Sequence, residues 1–189
     1  MTLSRRWRKV TLATHLSVAI GWLGAVAAYV VLDVTVAMSR DPSLVRAAWI
    51  SMGLVITWAI VPLALASLLT GIVLSLGTKW GLFRHWWVLI SLLLTLLANV
   101  VLLSEVGVVI RAAHIATDPS GSDALLLTLP STLPHSVGGL LVLLVVQVLN
   151  VFKPQGLTPY GWRKHDESLE ARQDGQPAGL TTGAAGEDT

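Results

Sequence analysis

Four stretches of this chain, 10–32, 47–76, 86–104 and 134–152, are long, apolar and almost free of charge. No other feature constrains the fold as strongly. A hydrocarbon core of ~30 Å takes roughly 20 helical residues to cross. Backbone groups in lipid must be satisfied within the segment, so runs of this length form helices there. The period-two alternation of a membrane strand is missing. Of the 189 residues 53% are hydrophobic and 13% charged, and the apolar ones are gathered into these four runs rather than spread as around a soluble core. The expected fold is all-α, a transmembrane antiparallel four-helix bundle.

Orientation follows from Lys and Arg placement. Ten of the thirteen fall in the N-terminal "RRWRK", the 77–86 connection and the tail; three, Arg40, Arg46 and Arg111, fall in the other two connections. That alternation puts both termini in the cytoplasm. Trp7, Trp80, Trp86, Trp87 and Trp162 all fall at the expected inner interface, where amphipathic rings settle. The net charge of +2 reflects this inner basic collar. It suits anionic lipid headgroups and does not point to nucleic acid. The first apolar run, at 23 residues, is too long for the core of an ordinary cleaved signal, and three more spans follow it.

The chain divides into a basic cytoplasmic N-terminus (1–9), a membrane domain (10–152) and a cytoplasmic tail (153–189), expected to lack order beyond 164 because it has little to bury. The second run, 30 residues long, exceeds one straight crossing, and Pro62 near its middle is expected to kink it. "STLP" before the fourth run reads as a helix start, capped by Ser131 or Thr132. The Gly, Ala and Ser residues in "GWLGAVAA", "LASLLTG" and "SVGG" read as packing positions.

There is no cysteine, which excludes disulfides, thiolate metal sites, iron–sulfur clusters and covalent haem attachment. Ionisable residues cluster at one level instead. At 1.5 Å per residue, Glu105 lies about 29 Å above Trp86, Asp33 about 35 Å above Val10 and His135 about 26 Å above Phe152, all near the outer boundary. Arg111 and His114 lie further out. Glu105 and His114, nine residues apart, face opposite ways unless the helix breaks near Gly107. These groups form either an interfacial ring of salt bridges, with Asp33 pairing to Arg111 or His135, or a polar mouth in which Asp33, Glu105, His114 and His135 hold a metal ion. Met38 and Met52 also fall on this side, a chemistry compatible with copper.

His15 lies inside the hydrocarbon edge at the opposite end, where an ionisable group is costly and marks a site by default. It is read as a hydrogen bonder, with Gln147 its expected partner, as a haem or metal ligand, or as a proton carrier. Asn99 and Asn150 are expected to bond between helices. His15 and His135 are roughly 20 Å apart along the membrane normal, so they cannot share one b haem, whereas His85 is placed to approach His15. A Ser/His/Asp grouping, HExxH, a phosphate-binding Gly loop and paired intramembrane carboxylates are all missing from the sequence. A non-enzymatic protein is expected.

"SLGTKWGLFRHWWVL" and "VFKPQGLTPYGWRK", within 10–164, resemble a bacterial family of four-span membrane proteins of unknown function, itself similar to the copper-resistance D-type and protoporphyrinogen-oxidase-like four-helix proteins. The resemblance implies an inner-membrane location and His-mediated haem or copper handling, with His15 and His135 at the matching positions. The chain departs from it at Ser91, where relatives often carry Lys, and at Ser104 and Glu105, where a His is lacking. The leading expectation is a haem- or metal-binding bundle. The alternatives are an assembly module that docks a larger membrane complex or a second copy of itself, and a small transporter or redox enzyme.

Overall fold

The computed structural model describes residues 4–77, 81–118, 122–154 and 156–174. Lys79, Trp80, half of the "DPSGSD" turn and the tail after Asp174 lie outside them. The described residues are all-α: α1 (Arg5–Met38), α2 (Pro42–Val55), a π-helical turn (Ile56–Ile60), α3 (Val61–Leu76), α4 (Trp86–Thr117), α5 (Asp123–Thr128), α6 (Leu133–Phe152) and α7 (Pro159–Asp174). Four helices, with α2 through α3 counted as one, are long and apolar enough to cross a membrane, the mark of a multi-pass membrane protein.

Three of the four outrun the apolar stretches that announce them. α4 continues 13 residues past Ser104 without a break, and Pro42–Leu76 forms 35 continuous residues. At 1.5 Å per residue these helices are about 48 and 52 Å long, well beyond a ~30 Å core. Local sequence accounts for the early start of α2. Asp41 caps it, accepting from the Ser43 N–H at 2.9 Å and the Ser43 hydroxyl at 2.7 Å, and Pro42 takes the first turn, where it costs no hydrogen bond. The Ser43 donors hold the Asp41 carboxyl below its usual range.

The extra length forms a packed layer of its own. Val45, Trp49 and Met52 of α2 bury against a core that includes Val109, Ala112 and Ala116 of α4, and Leu126 folds α5 onto the same cluster. α2 and α4 approach so closely that a Cβ on Gly53 would lie 2.6 Å from the Ala113 Cβ. Arg46 closes the layer. It donates to the Ala116 and Asp118 carbonyls, each at 2.8 Å, and pairs with Asp123 at 3.0 Å, so it caps the end of α4 and tethers α5. Pro62 is accommodated by the π turn immediately before it. Pro lacks an N–H and crowds the carbonyl four residues back, and a widened turn relieves both problems.

At the opposite end the chain departs from expectation beyond residue 164, where α7 is helical to Asp174. The reason lies in "LTPYGW": Thr158 accepts the Gly161 N–H on its hydroxyl and the Trp162 N–H on its carbonyl, with Pro159 in the first turn. Lys164 and Glu167 then pair at 2.8 Å on one face, which raises the Lys164 pKa.

Candidate functional site

Trp22, Val26, Tyr29 and Asp33 recur at four, seven and eleven positions, which sets them on one buried face of α1. At the top of that face Asp33 is 0% exposed. A buried carboxylate needs compensation, and here hydroxyls supply it. Ser131 donates to Oδ1 at 2.9 Å, while Thr132 and Ser136 donate to Oδ2, each at 2.8 Å. Since Thr132 spends its proton on Asp33, its oxygen accepts from the Tyr29 hydroxyl at 3.2 Å. Ser131 also accepts the Leu133 N–H at 3.1 Å from the position before the N-cap, while Thr132, the N-cap itself, makes no side-chain cap hydrogen bond because its hydroxyl is committed to Asp33. All three donors sit at the start of α6, where the helix dipole favours negative charge. Asp33 therefore pairs with neither Arg111 nor His135.

Below this cluster lies a cavity of about 290 Å³, walled by α1, the π turn, α4 and α6. Its body is apolar, with Trp22, Val26, Leu102 and Leu143 among its walls, and the Trp22 indole N–H has no hydrogen-bond partner. Gly138 and Gly139 face it with open space around them: a Cβ on either would meet nothing within 4 Å. Glu105 and His135 stand at its polar end, Oε1 and Nε2 3.8 Å apart, too long for a hydrogen bond. Glu105 is 22% exposed and His135 54%. Tyr29 lies within electrostatic reach of both Asp33 and Glu105.

The other expected residues are not brought here. His114 is exposed in the last turn of α4, and because that helix is continuous through Gly107, Glu105 and His114 face opposite ways. Met52 is buried in the packed layer and Met38 is exposed. Among the described residues no three His, Asp or Glu side chains gather where they could hold a metal ion. His15 bonds through Nδ1 to the Thr70 hydroxyl of α3 at 2.9 Å, not to Gln147, with its ring against Gly71. Thr70 in turn donates to the Ala66 carbonyl at 2.7 Å, which leaves its oxygen to accept the His15 proton. His85 is held elsewhere, in an antiparallel bridge with Leu157. Asn99 bonds to the Thr95 carbonyl of its own helix, so it does not tie helices together as expected.

Sequence reading missed the hydroxyl cluster and the cavity. The hydroxyl-rich "STLPHS" ahead of α6 was the available signal for the first; for the second, glycines in a span read equally well as packing. Comparison with known proteins leaves the geometry to speak for itself: no family model, no curated protein and no solved structure matches the chain.

Proposed function

We propose that this chain is a bacterial inner-membrane protein, an antiparallel four-helix bundle with both termini cytoplasmic, that binds a small, mostly apolar molecule in the outer half of the bundle without transforming it. Kinship with the four-span family rests on "SLGTKWGLFRHWWVL" and "VFKPQGLTPYGWRK". The observation that carries the binding reading is the pair Gly138 and Gly139, bare towards the cavity. Glycine inside a helix costs about 1 kcal/mol relative to Ala. Here no neighbouring helix comes close enough to require it, so what the glycines provide is room. Pockets of this kind, apolar with a few convergent polar groups, are where small molecules bind.

A haem or copper site fits these residues less well. His15 and His135 stand at opposite ends of the bundle, and the His135 Nε2 faces Glu105. Nor, among the described residues, does a third His, Asp or Glu join Glu105 and His135. An organic molecule held by shape and hydrogen bonds makes no such demand. Native mass spectrometry of protein gently extracted from its membrane tests the reading. The wild type should retain a small-molecule adduct that Gly139→Leu, equally folded by circular dichroism, has lost. Equal adducts, or none in either protein, would contradict it. A Soret band on the wild-type sample, absent from His135→Ala, would identify the ligand as haem.

One observation favours a second reading, docking to another membrane protein. Trp58 is 78% exposed at the middle of the 35-residue helix, within the π turn. Indoles favour the membrane interface over its centre. A partner that accepts this N–H would explain the placement, and Trp58→Leu should then release a stoichiometric co-purifying protein.

A further inference from the structure

We infer that the cavity selects a ligand with a positively charged hydrogen-bonding head, an amphipathic amine, whose ammonium sits on Glu105 while its apolar body fills the space beside Gly138 and Gly139. The inference rests on the binding reading above and adds the chemical class. Three observations support it. The cavity lining holds one carboxylate, Glu105, and no Lys or Arg. The buried Asp33 carboxylate lies just behind, separated from the cavity by the Thr132 and Ser136 hydroxyls. Glu105 itself is mostly buried, and the imidazole nearest it, His135, stands at 3.8 Å, beyond hydrogen-bond reach.

A carboxylate in this position is under-satisfied. Partial burial strips water from it, and desolvation makes a donor brought by a ligand worth more than the same donor in water. Three N–H donors on one compact charge meet that need. The nearest alternative cation on the same helix, Arg111, is exposed and folds back only as far as Gly107, 3.4 Å from a Cβ built there. His135 is the competitor. When protonated it neutralises Glu105, so its removal should favour the ligand. A carboxylate ligand would meet Glu105 and Asp33 as like charges, and a neutral alcohol would supply a single weaker bond.

The test uses three soluble probes with one apolar body: 3-phenylpropylamine, 3-phenylpropanol and 3-phenylpropanoate. Each is titrated calorimetrically into the full chain in nanodiscs of zwitterionic lipid, with empty nanodiscs subtracted. The amine should bind roughly tenfold to a hundredfold more tightly than the alcohol, the range expected for a charge-assisted hydrogen bond, and the acid weakest. Glu105→Gln should remove the amine's advantage and leave the alcohol unchanged. His135→Gln should keep that advantage or enlarge it. Alcohol or acid binding as tightly as the amine would overturn the amine class while leaving the cavity reading intact. So would an amine advantage that survives Glu105→Gln. Binding of no probe, or equal binding to Gly139→Leu, would overturn both readings.

Discussion

Asp33 and Glu105 are the two carboxylates beside the cavity, one behind its hydroxyl wall and one lining it, and their surroundings give them opposite roles. Asp33 accepts three hydroxyl hydrogen bonds and ties α1 to the start of α6. Side-chain hydrogen bonds between membrane helices contribute about 0.6 to 1.7 kcal/mol each. Asp33→Ala should therefore cost about 2–5 kcal/mol, read as a lowered unfolding midpoint in mild detergent. Glu105→Gln removes no hydrogen bond that holds the fold and should leave that midpoint within about 0.5 kcal/mol of wild type. Equal destabilisation by the two changes would show that both acids are structural. The sequence set both residues near one level by helical rise alone. It left their partners undetermined, since a charge suggests a countercharge and nothing in spacing says that neutral hydroxyls will serve.

At the scale of elements, the described residues 81–86 and 156–161 form one structure. The connection before α4 and the one before α7 clasp each other. His85 bridges to Leu157, the Trp86 N–H donates to the Gly156 carbonyl at 3.3 Å, and the Thr158 hydroxyl donates to the Phe83 carbonyl. Gly161 closes the clasp, because a Cβ there would overlap the Arg84 carbonyl oxygen. Gly161→Ala should cost about 1–3 kcal/mol as an overpacking change, seen as faster amide exchange across 156–165 while the apolar helices stay protected. Unchanged exchange would show that the clasp is not maintained in solution. Helix existence and type were legible from the apolar runs. The ends were not, because α2 and α4 continue past the membrane-length stretch, through Arg46 and Arg111, where they pack on one another rather than on lipid. Small residues show the same limit. Gly71 serves close approach, as the sequence suggested, and Gly53 does so without having been singled out, but Gly24, Gly138 and Gly139 face open space.

The whole molecule is asymmetric along its length. Its largest fully buried side chains, Trp49, Met52, Val45, Val109, Leu126 and Asp33, lie towards the end that carries α5, while α6 is largely uncovered by protein. A membrane helix needs no protein cover where lipid surrounds it, so burial gathers where the helices project beyond the hydrocarbon. The cavity lies just beneath this rigid head. The absence of cysteine makes the orientation directly testable. A thiol introduced by Ser122→Cys should label with an impermeant maleimide on intact cells, and one introduced by Asp166→Cys only after the membrane is opened; the reverse pattern would invert the orientation. The central claim, that the space beside Gly138 and Gly139 holds a ligand, is tested most directly by an experimental density map of the protein as purified from its own membrane. The account predicts elongated non-protein density running from Gly139 towards Glu105, with α4 and α6 standing apart around it. Side chains of those two helices meeting across a closed gap, with no such density, would contradict it.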